Sequence, residues 1–138
     1  MWKLLTFLFC VISFMNNLTA QEIFPLYQDK IPNSKPAPNE EKTEESDGIT
    51  VVRKISVPTM QYFPAPGQES ASAVIIYPGG GYIINAIRHE GQDVARKFND
   101  IGVSAFVIKY RIPDDRTIVN KTIGPLQDAQ QAIKTVRE

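Results

Sequence analysis

Short apolar runs separated by polar or glycine-rich breaks organise the second half of the chain. Val, Ile and Thr are stiff and favour extended backbone, so runs that are rich in them predict strands. The predicted strands are residues 49–57, 59–63, 73–77 and 103–110. The last two runs are apolar almost throughout, which predicts that both strands are buried.

Apolar positions at helical spacing predict two helices in the same region. The first covers residues 89–99 and ends before Gly102. The second begins at Gly124, and its expected contact positions are Leu126, Ala129, Ala132, Ile133 and Val136. Strands that alternate with helices indicate an α/β fold, in which a mostly parallel sheet is flanked by helices.

The first 20 residues have the pattern of a cleaved signal peptide. Lys3 supplies a positive start, an apolar stretch follows from Leu4 to Met15, and Ala20 precedes the expected cleavage point. The stretch is shorter than the about 20 apolar residues that a membrane span needs. We therefore expect a secreted or periplasmic protein that has no membrane attachment after cleavage. The only cysteine, Cys10, lies in this segment, so the mature chain would fold without a disulfide.

Residues 21–48 are predicted to form a polar arm in front of a folded domain that covers residues 49–138. Within residues 28–48, low hydrophobicity, three prolines and an acidic stretch favour an extended or mobile, solvated connector. Only residues 23–27 are apolar enough to pack on the domain.

The charge balance of the chain bears on its partners. The 138 residues carry 15 basic and 15 acidic side chains, so the formal net charge is zero. That balance gives no support to nucleic-acid binding, which usually requires a basic patch. A chain of this length fits a single domain.

The most informative motif is Pro78-Gly79-Gly80-Gly81-Tyr82, directly after the strand predicted at 73–77. Glycine has no Cβ, so this turn can take positive φ angles and bring bare amides close to a ligand. At the carboxyl end of a parallel strand, such a turn can cradle a phosphate or stabilise an oxyanion; it can also be a tight loop without a ligand. The phosphate alternative is the weaker, because Ile84 stands where a dinucleotide-binding motif needs its third glycine.

This motif resembles the oxyanion loop of α/β-hydrolase esterases, whose common form is His-Gly-Gly-Gly; Pro78 stands where many relatives have His. Three further motifs extend the resemblance: His89-Glu90-Gly91, Ile108-Lys109-Tyr110-Arg111-Ile112-Pro113 and Pro125-Leu126-Gln127-Asp128-Ala129. The set is similar to secreted bacterial acetyl-xylan-esterase-like α/β-hydrolases. It implies the N-terminal portion of that fold, a partial α/β-hydrolase truncated before the Gly-x-Ser-x-Gly nucleophile elbow.

The resemblance implies a serine carboxylic-ester hydrolase that uses no cofactor and acts on acylated polysaccharide, such as acetylated xylan, or on small esters. The chain contains no Gly-x-Ser-x-Gly, so nucleophile, acid and base are expected beyond Glu138, and the chain alone is expected to be inactive. Its own contribution would be the oxyanion hole, formed by the backbone N–H groups of Gly80 and Gly81. The N–H of Tyr82 is a possible third donor.

Tyr82 and His89 are the candidates for the substrate pocket. Tyr82 can pack over the loop and exclude water, or it can be a core plug. His89 can form a pocket wall, or it can be a helix N-terminal residue with local hydrogen bonds. It precedes the place of the nucleophile, so by chain order it is not the catalytic base. A single His without clustered Cys or carboxylates predicts no metal site.

The charged residues of the domain are expected to be mainly structural. The carboxylates concerned are Asp93, Asp114, Asp115 and Asp128, of which the last would complement a helix dipole. Lys109 and Arg111 follow the end of a predicted strand, so they could line a pocket or form a fixed ion pair.

Two other functions are compatible with the sequence. The chain could be a non-catalytic carbohydrate-binding or interaction module, which would need exposed aromatic side chains on one face; Tyr62, Phe63 and Tyr82 are the candidates. A nucleotide-binding α/β domain is disfavoured by the glycine spacing and by the export signal.

Overall fold

A computed structural model describes residues 21–65 and 72–138, and the predicted signal peptide with Cys10 lies outside these residues. Within these ranges, seven strands, a π-helical turn and two α-helices follow one another. They are β1 (Glu22–Pro25), β2 (Lys42–Ser46), β3 (Ile49–Arg53), β4 (Thr59–Phe63), β5 (Ala73–Ile76), β6 (Ile84–Asn85), the π turn (Arg88–Gln92), α1 (Asp93–Asp100), β7 (Ser104–Lys109) and α2 (Gly124–Arg137).

Four strands form the main sheet, in the order β1-β4-β7-β5. Strands β5 and β7 run parallel, with Ala73 opposite Ser104 and Ile76 opposite Val107. Strand β4 pairs antiparallel with both β1 and β7. The prediction of a mostly parallel sheet is therefore wrong for the described strands. A parallel pair needs a crossover connection, and here the helical crossover lies between β5 and β7.

A smaller antiparallel sheet has β3 between β2 and β6. Strand β1 overlaps residues 23–27, which were expected to pack on the domain, and it pairs with β4. Strand β2 lies in the predicted polar arm and pairs with β3. All five side chains of β2 are exposed, so its sequence carries no sign of burial. An ion pair between Glu41 and Lys109, at 2.7 Å, fixes the start of this hairpin to the main sheet.

Helices cover both faces of the main sheet. Successive side chains of β7 point to opposite faces: Ala105 and Val107 pack with Ala95 of α1, whereas Ile108 packs with Ala132 of α2. The predicted helices and their flanking positions on an α/β sheet are thus confirmed, although the first helix opens with the π turn. Neither helix within the described ranges is long and apolar enough to cross a membrane.

Two predictions of burial are wrong. Strand β5 has β7 as its one described partner and lies at the sheet edge, so Ala73 is exposed and the rest of the strand is only partly buried. On α2, Leu126 and Ile133 are exposed, while Ala132 is fully buried. The helix faces the sheet with the Ala132 side, and the apolar stripe through Leu126 and Ile133 lies on another side of the helix.

Candidate active site

The glycine loop leaves the carboxyl end of β5 beside Tyr110, the first residue after β7. Because these two strands are parallel and adjacent, their carboxyl ends meet at one edge of the sheet, where α/β folds place ligand sites. A cavity of about 720 Å³ opens there. Its walls are residues 77–82, Tyr110, Pro113 and the region around the start of α2.

The loop backbone is left-handed at consecutive positions. The φ angles are +139° at Gly80, +61° at Gly81 and +59° at Tyr82. A Cβ at Gly80 would overlap the backbone oxygen of Ile84, whereas one at Gly81 would meet open space. Tyr82 is not a glycine, so its conformation stores strain of about 1–3 kcal/mol, a cost that proteins tend to concentrate at functional sites.

Each loop carbonyl from 78 to 80 accepts a hydrogen bond. The Tyr110 hydroxyl donates to the Pro78 oxygen at 2.7 Å, and the Ala86 N–H donates to the Gly79 oxygen at 3.0 Å. The Gly80 oxygen accepts from the N–H groups of residues 83 and 84, at 3.1 and 3.2 Å. These bonds fix the course of the loop, since its carbonyls are held from three directions.

Of the four backbone N–H groups at residues 79–82, one donates a hydrogen bond to a described residue and three do not. The Gly79 N–H donates to the Glu90 carboxylate at 2.9 Å. The N–H groups of Gly80, Gly81 and Tyr82 donate to no acceptor in residues 21–65 or 72–138, and all three residues line the cavity. Three adjacent unused donors in a cavity wall can bind an oxygen that carries negative charge.

Tyr82 and Tyr110 form the aromatic part of the site. Their rings meet edge to face with centroids 6.3 Å apart, and Tyr82 is 61% exposed. Tyr82 therefore lines the cavity and is not a core plug. Burial, followed by the nearby Tyr82 and Glu90, raises the pKa of the Tyr110 hydroxyl above its ordinary value of 10.0. The hydroxyl therefore stays protonated at neutral pH and remains a donor to the loop.

The other pocket candidate, His89, does not line this cavity. Its Nε2 lies 3.6 Å from a carboxylate oxygen of Glu90, and its side chain is 40% exposed. His89 lies in the π turn (Arg88–Gln92), and the prediction that it forms part of a substrate pocket stays a prediction. Among the described residues, no three His, Cys, Asp or Glu side chains cluster closely enough to hold a metal ion.

Arg111 and Asp128 form a buried ion pair instead of lining the cavity. Both side chains have no exposed area, and the closest N–O distance is 2.7 Å. The remaining guanidinium donors reach the carbonyl oxygens of Pro32 and Gly124 and the hydroxyl of Ser34. Lys109 pairs with Glu41, as described above. Of the two interpretations open for Lys109 and Arg111, the fixed ion pair is therefore confirmed.

The three aromatic candidates for a carbohydrate-binding face do not come together. Phe63 is 2% exposed and belongs to the core beside α1. Tyr62 stacks on Phe106 of the neighbouring strand, with centroids 4.7 Å apart. Only Tyr82 is strongly exposed, so the platform expected for a binding module is not formed by these residues.

Glu90 and Tyr110 were not predicted as site residues, although both lie in the motifs noted above. Their contacts with the loop join residues 11 and 32 positions apart. Periodicity in a sequence shows which side chains lie on the same face of one helix or strand, so it does not predict contacts between different elements. A motif-level resemblance marked both positions but assigned them no role.

Comparison with known proteins identifies two informative likenesses. Over 74 residues the chain is 36% identical to an acetylxylan esterase of Xylanibacter ruminicola, a match that covers 53% of this chain and 14% of that protein. The crystal structure of an acetyl ester-xyloside bifunctional hydrolase from Caldicellulosiruptor lactoaceticus matches with a TM-score of 0.63 and 30% identity. That match covers 84% of this chain and 35% of the other.

Two further comparisons are less informative about the family of the chain. No protein-family model matches the chain. A weaker likeness, to esterase 2 of Thermogutta terrifontis, has a TM-score of 0.46 and 19% identity. The chain thus spans a minor part of the proteins it matches. In sequence and in its mixed α/β fold, it resembles esterase-type hydrolases.

Proposed function

We propose that this chain is the N-terminal portion of a secreted serine carboxylic-ester hydrolase. Its substrates would be acylated polysaccharide, such as acetylated xylan, or small esters. The observation that carries the proposal is the row of unused backbone donors at Gly80, Gly81 and Tyr82 in the wall of the cavity. Donors fixed in advance in this way stabilise the negative charge that develops on a carbonyl oxygen during acyl transfer.

In the proposed reaction, a serine hydroxyl from beyond Glu138 adds to the ester carbonyl carbon while a histidine takes its proton. The C=O π electrons move onto the carbonyl oxygen, which the N–H groups of Gly80 and Gly81 hold, with Tyr82 as third donor. Collapse of this intermediate expels the alcohol, which takes the proton from the histidine. Water then hydrolyses the acyl-serine by the same two steps, and no cofactor takes part.

The likenesses reported above support the ester-hydrolase class, and the name of each matched protein includes an acetyl ester or acetylxylan. The signal-peptide pattern agrees with a polymeric substrate, because a polysaccharide outside the cell can be reached only by an exported enzyme. The chain itself would supply the oxyanion hole and part of the pocket, and no nucleophile.

The test compares two proteins: residues 1–138 alone, and the complete product of the reading frame that encodes them. A Gly-x-Ser-x-Gly is expected within a few tens of codons after Glu138. Hydrolysis of an aryl acetate and release of acetate from acetylated xylan are measured for both. We expect turnover from the complete product and none from the shorter chain. Turnover by residues 1–138 alone, or a folded but inert complete product, would contradict the proposal.

A further inference from the structure

We propose that Glu90 is a positioning residue for the glycine loop: its carboxylate holds Gly79 so that the next three N–H groups stay free for the substrate oxygen. The inference rests on the proposed function, because it assigns Glu90 a role in presenting the oxyanion hole.

The contact between Glu90 and Gly79 is specific to the two residues. Oε2 of Glu90 accepts the Gly79 N–H at 2.9 Å. A Cβ at Gly79 would overlap this carboxylate, and the three atoms nearest to it all belong to Glu90. The φ angle of Gly79 is not among the positive ones. Glycine at position 79 therefore leaves room for the close approach of the Glu90 carboxylate, which a larger residue would displace.

The π turn holds Glu90 against the loop. The Glu90 N–H donates to the Ala86 oxygen at 3.2 Å. A Cβ at Gly91 would lie 2.8 Å from Val107 and 3.0 Å from Pro78, so this turn packs tightly against both β7 and the start of the loop. π-helical turns are rare and occur frequently at functional sites. The irregular turn brings the carboxylate to the one loop amide that it binds.

The geometry favours a role in positioning over a role in stability. The Glu90 side chain is 50% exposed, and half-exposed polar contacts contribute little to folding. By contrast, a misplacement of about 1 Å in a catalytic group can lower the rate about 100-fold.

The experiment uses the complete protein with four variants: Glu90→Ala, Glu90→Gln, Gly79→Ala and the double variant G79A/E90A. We expect E90A to lower kcat about 10- to 100-fold with little change in KM. E90Q keeps an acceptor oxygen and should stay within about 5-fold of the parent. G79A displaces the carboxylate and should match E90A, and the double variant should lose no more than either single variant.

Asp93→Asn is the matched control, since Asp93 lies just after the π turn and its side chain is 51% exposed. It should leave kcat unchanged. If E90A retains full kcat, or if the losses of G79A and E90A multiply in the double variant, the positioning role is wrong.

An inert parent enzyme would be a failure of the proposed function and not of the Glu90 contact. In that case the NMR resonance of the Gly79 amide proton tests whether Glu90 accepts its hydrogen bond. Its chemical shift should move strongly in E90A and little in E90Q. An unchanged Gly79 resonance in E90A would overturn the inference.

Discussion

The Asp128 carboxylate lies 2.7 Å from the Arg111 guanidinium with both side chains fully buried, and this pair joins three parts of the chain. Arg111 follows β7, Asp128 lies in the first half of α2, and the Pro32 oxygen accepts from Arg111 at 2.8 Å. The Tyr27 hydroxyl also donates to Asp128, at 2.9 Å. The pair therefore holds the N-terminal arm and the start of α2, which forms one wall of the cavity, against the main sheet.

Removing one partner of this buried ion pair should lower the stability of the folded protein strongly. Asp128→Asn leaves a buried guanidinium without its counter-charge, and we expect the free energy of unfolding of the complete protein to fall by about 3–5 kcal/mol. Urea denaturation measures this loss. Asp100→Asn, in an exposed pair with Lys97, is the control and should change stability by no more than about 0.5 kcal/mol. Equal urea midpoints for D128N and the parent would show that the pair is unimportant.

The hydroxyl of Tyr110 should stabilise the glycine loop through its hydrogen bond to the Pro78 oxygen. Tyr110→Phe leaves the buried Pro78 oxygen without its donor, which should cost about 1–3 kcal/mol. Tyr77→Phe is the matched control, because its hydroxyl donates to the Ala129 oxygen at 2.9 Å in an exposed place. Thermal unfolding of both variants tests this difference, and a Y110F variant as stable as Y77F would contradict it.

The glycines of the loop should differ in their tolerance of a methyl group. Gly81→Ala meets open space but a strained φ, so we expect a loss of about 1–2 kcal/mol. Gly102→Ala has a similar φ of +77° and equally open surroundings away from the cavity, so it should lose the same stability and keep its activity. Gly80→Ala overlaps the Ile84 backbone and should abolish ester hydrolysis. An active G80A variant would contradict the observed loop conformation.

Acid should weaken the ion pair between Asp114 and Arg116 in the turn after β7. Hydrogen bonds from the Arg116 side chain, and then from its backbone N–H, hold the pKa of Asp114 below its ordinary 3.8. A lowered pKa in the folded state gives stability that is present above the ordinary pKa and is lost as the pH falls through the folded value. Arg116→Ala should therefore destabilise the protein at pH 7 and much less at an acid pH below the lowered pKa of Asp114, where the carboxylate is protonated. Urea midpoints at the two pH values test this, and an equal effect at both would contradict it.

Periodicity predicted the elements that are apolar. Strand β7 could be located because burial on both faces makes its sequence almost continuously apolar, and both helices because burial of one face imposes a repeat of about 3.6 residues. Strand β2 could not, since none of its five side chains is buried and its partner β3 alone defines it. The direction of β4 against β7 also escapes a local pattern, because pairing is decided between segments 40 or more residues apart.

In the candidate site, too, some features could be predicted from the sequence and others could not. The glycine loop was visible in the sequence, because the positive φ angles at Gly80 and Gly81 favour glycine and leave a recognisable motif, which Tyr82 follows directly. The Glu90 carboxylate and the Arg111–Asp128 pair could not be assigned partners, since a charged side chain looks the same in the sequence whether it is solvated or buried. For the same reason, the proximity of the His89 imidazole to Glu90, at 3.6 Å, could not be predicted from its motif.

The most direct test of the central claim is a crystal structure of the complete protein after reaction with a phosphonate ester. The phosphonyl group on the nucleophile would mimic the tetrahedral intermediate, and its oxygen would mark the oxyanion. We predict that this oxygen lies about 2.7–3.1 Å from the backbone nitrogens of Gly80 and Gly81. A phosphonyl oxygen bound by other donors, with both of these amides facing solvent, would contradict the account.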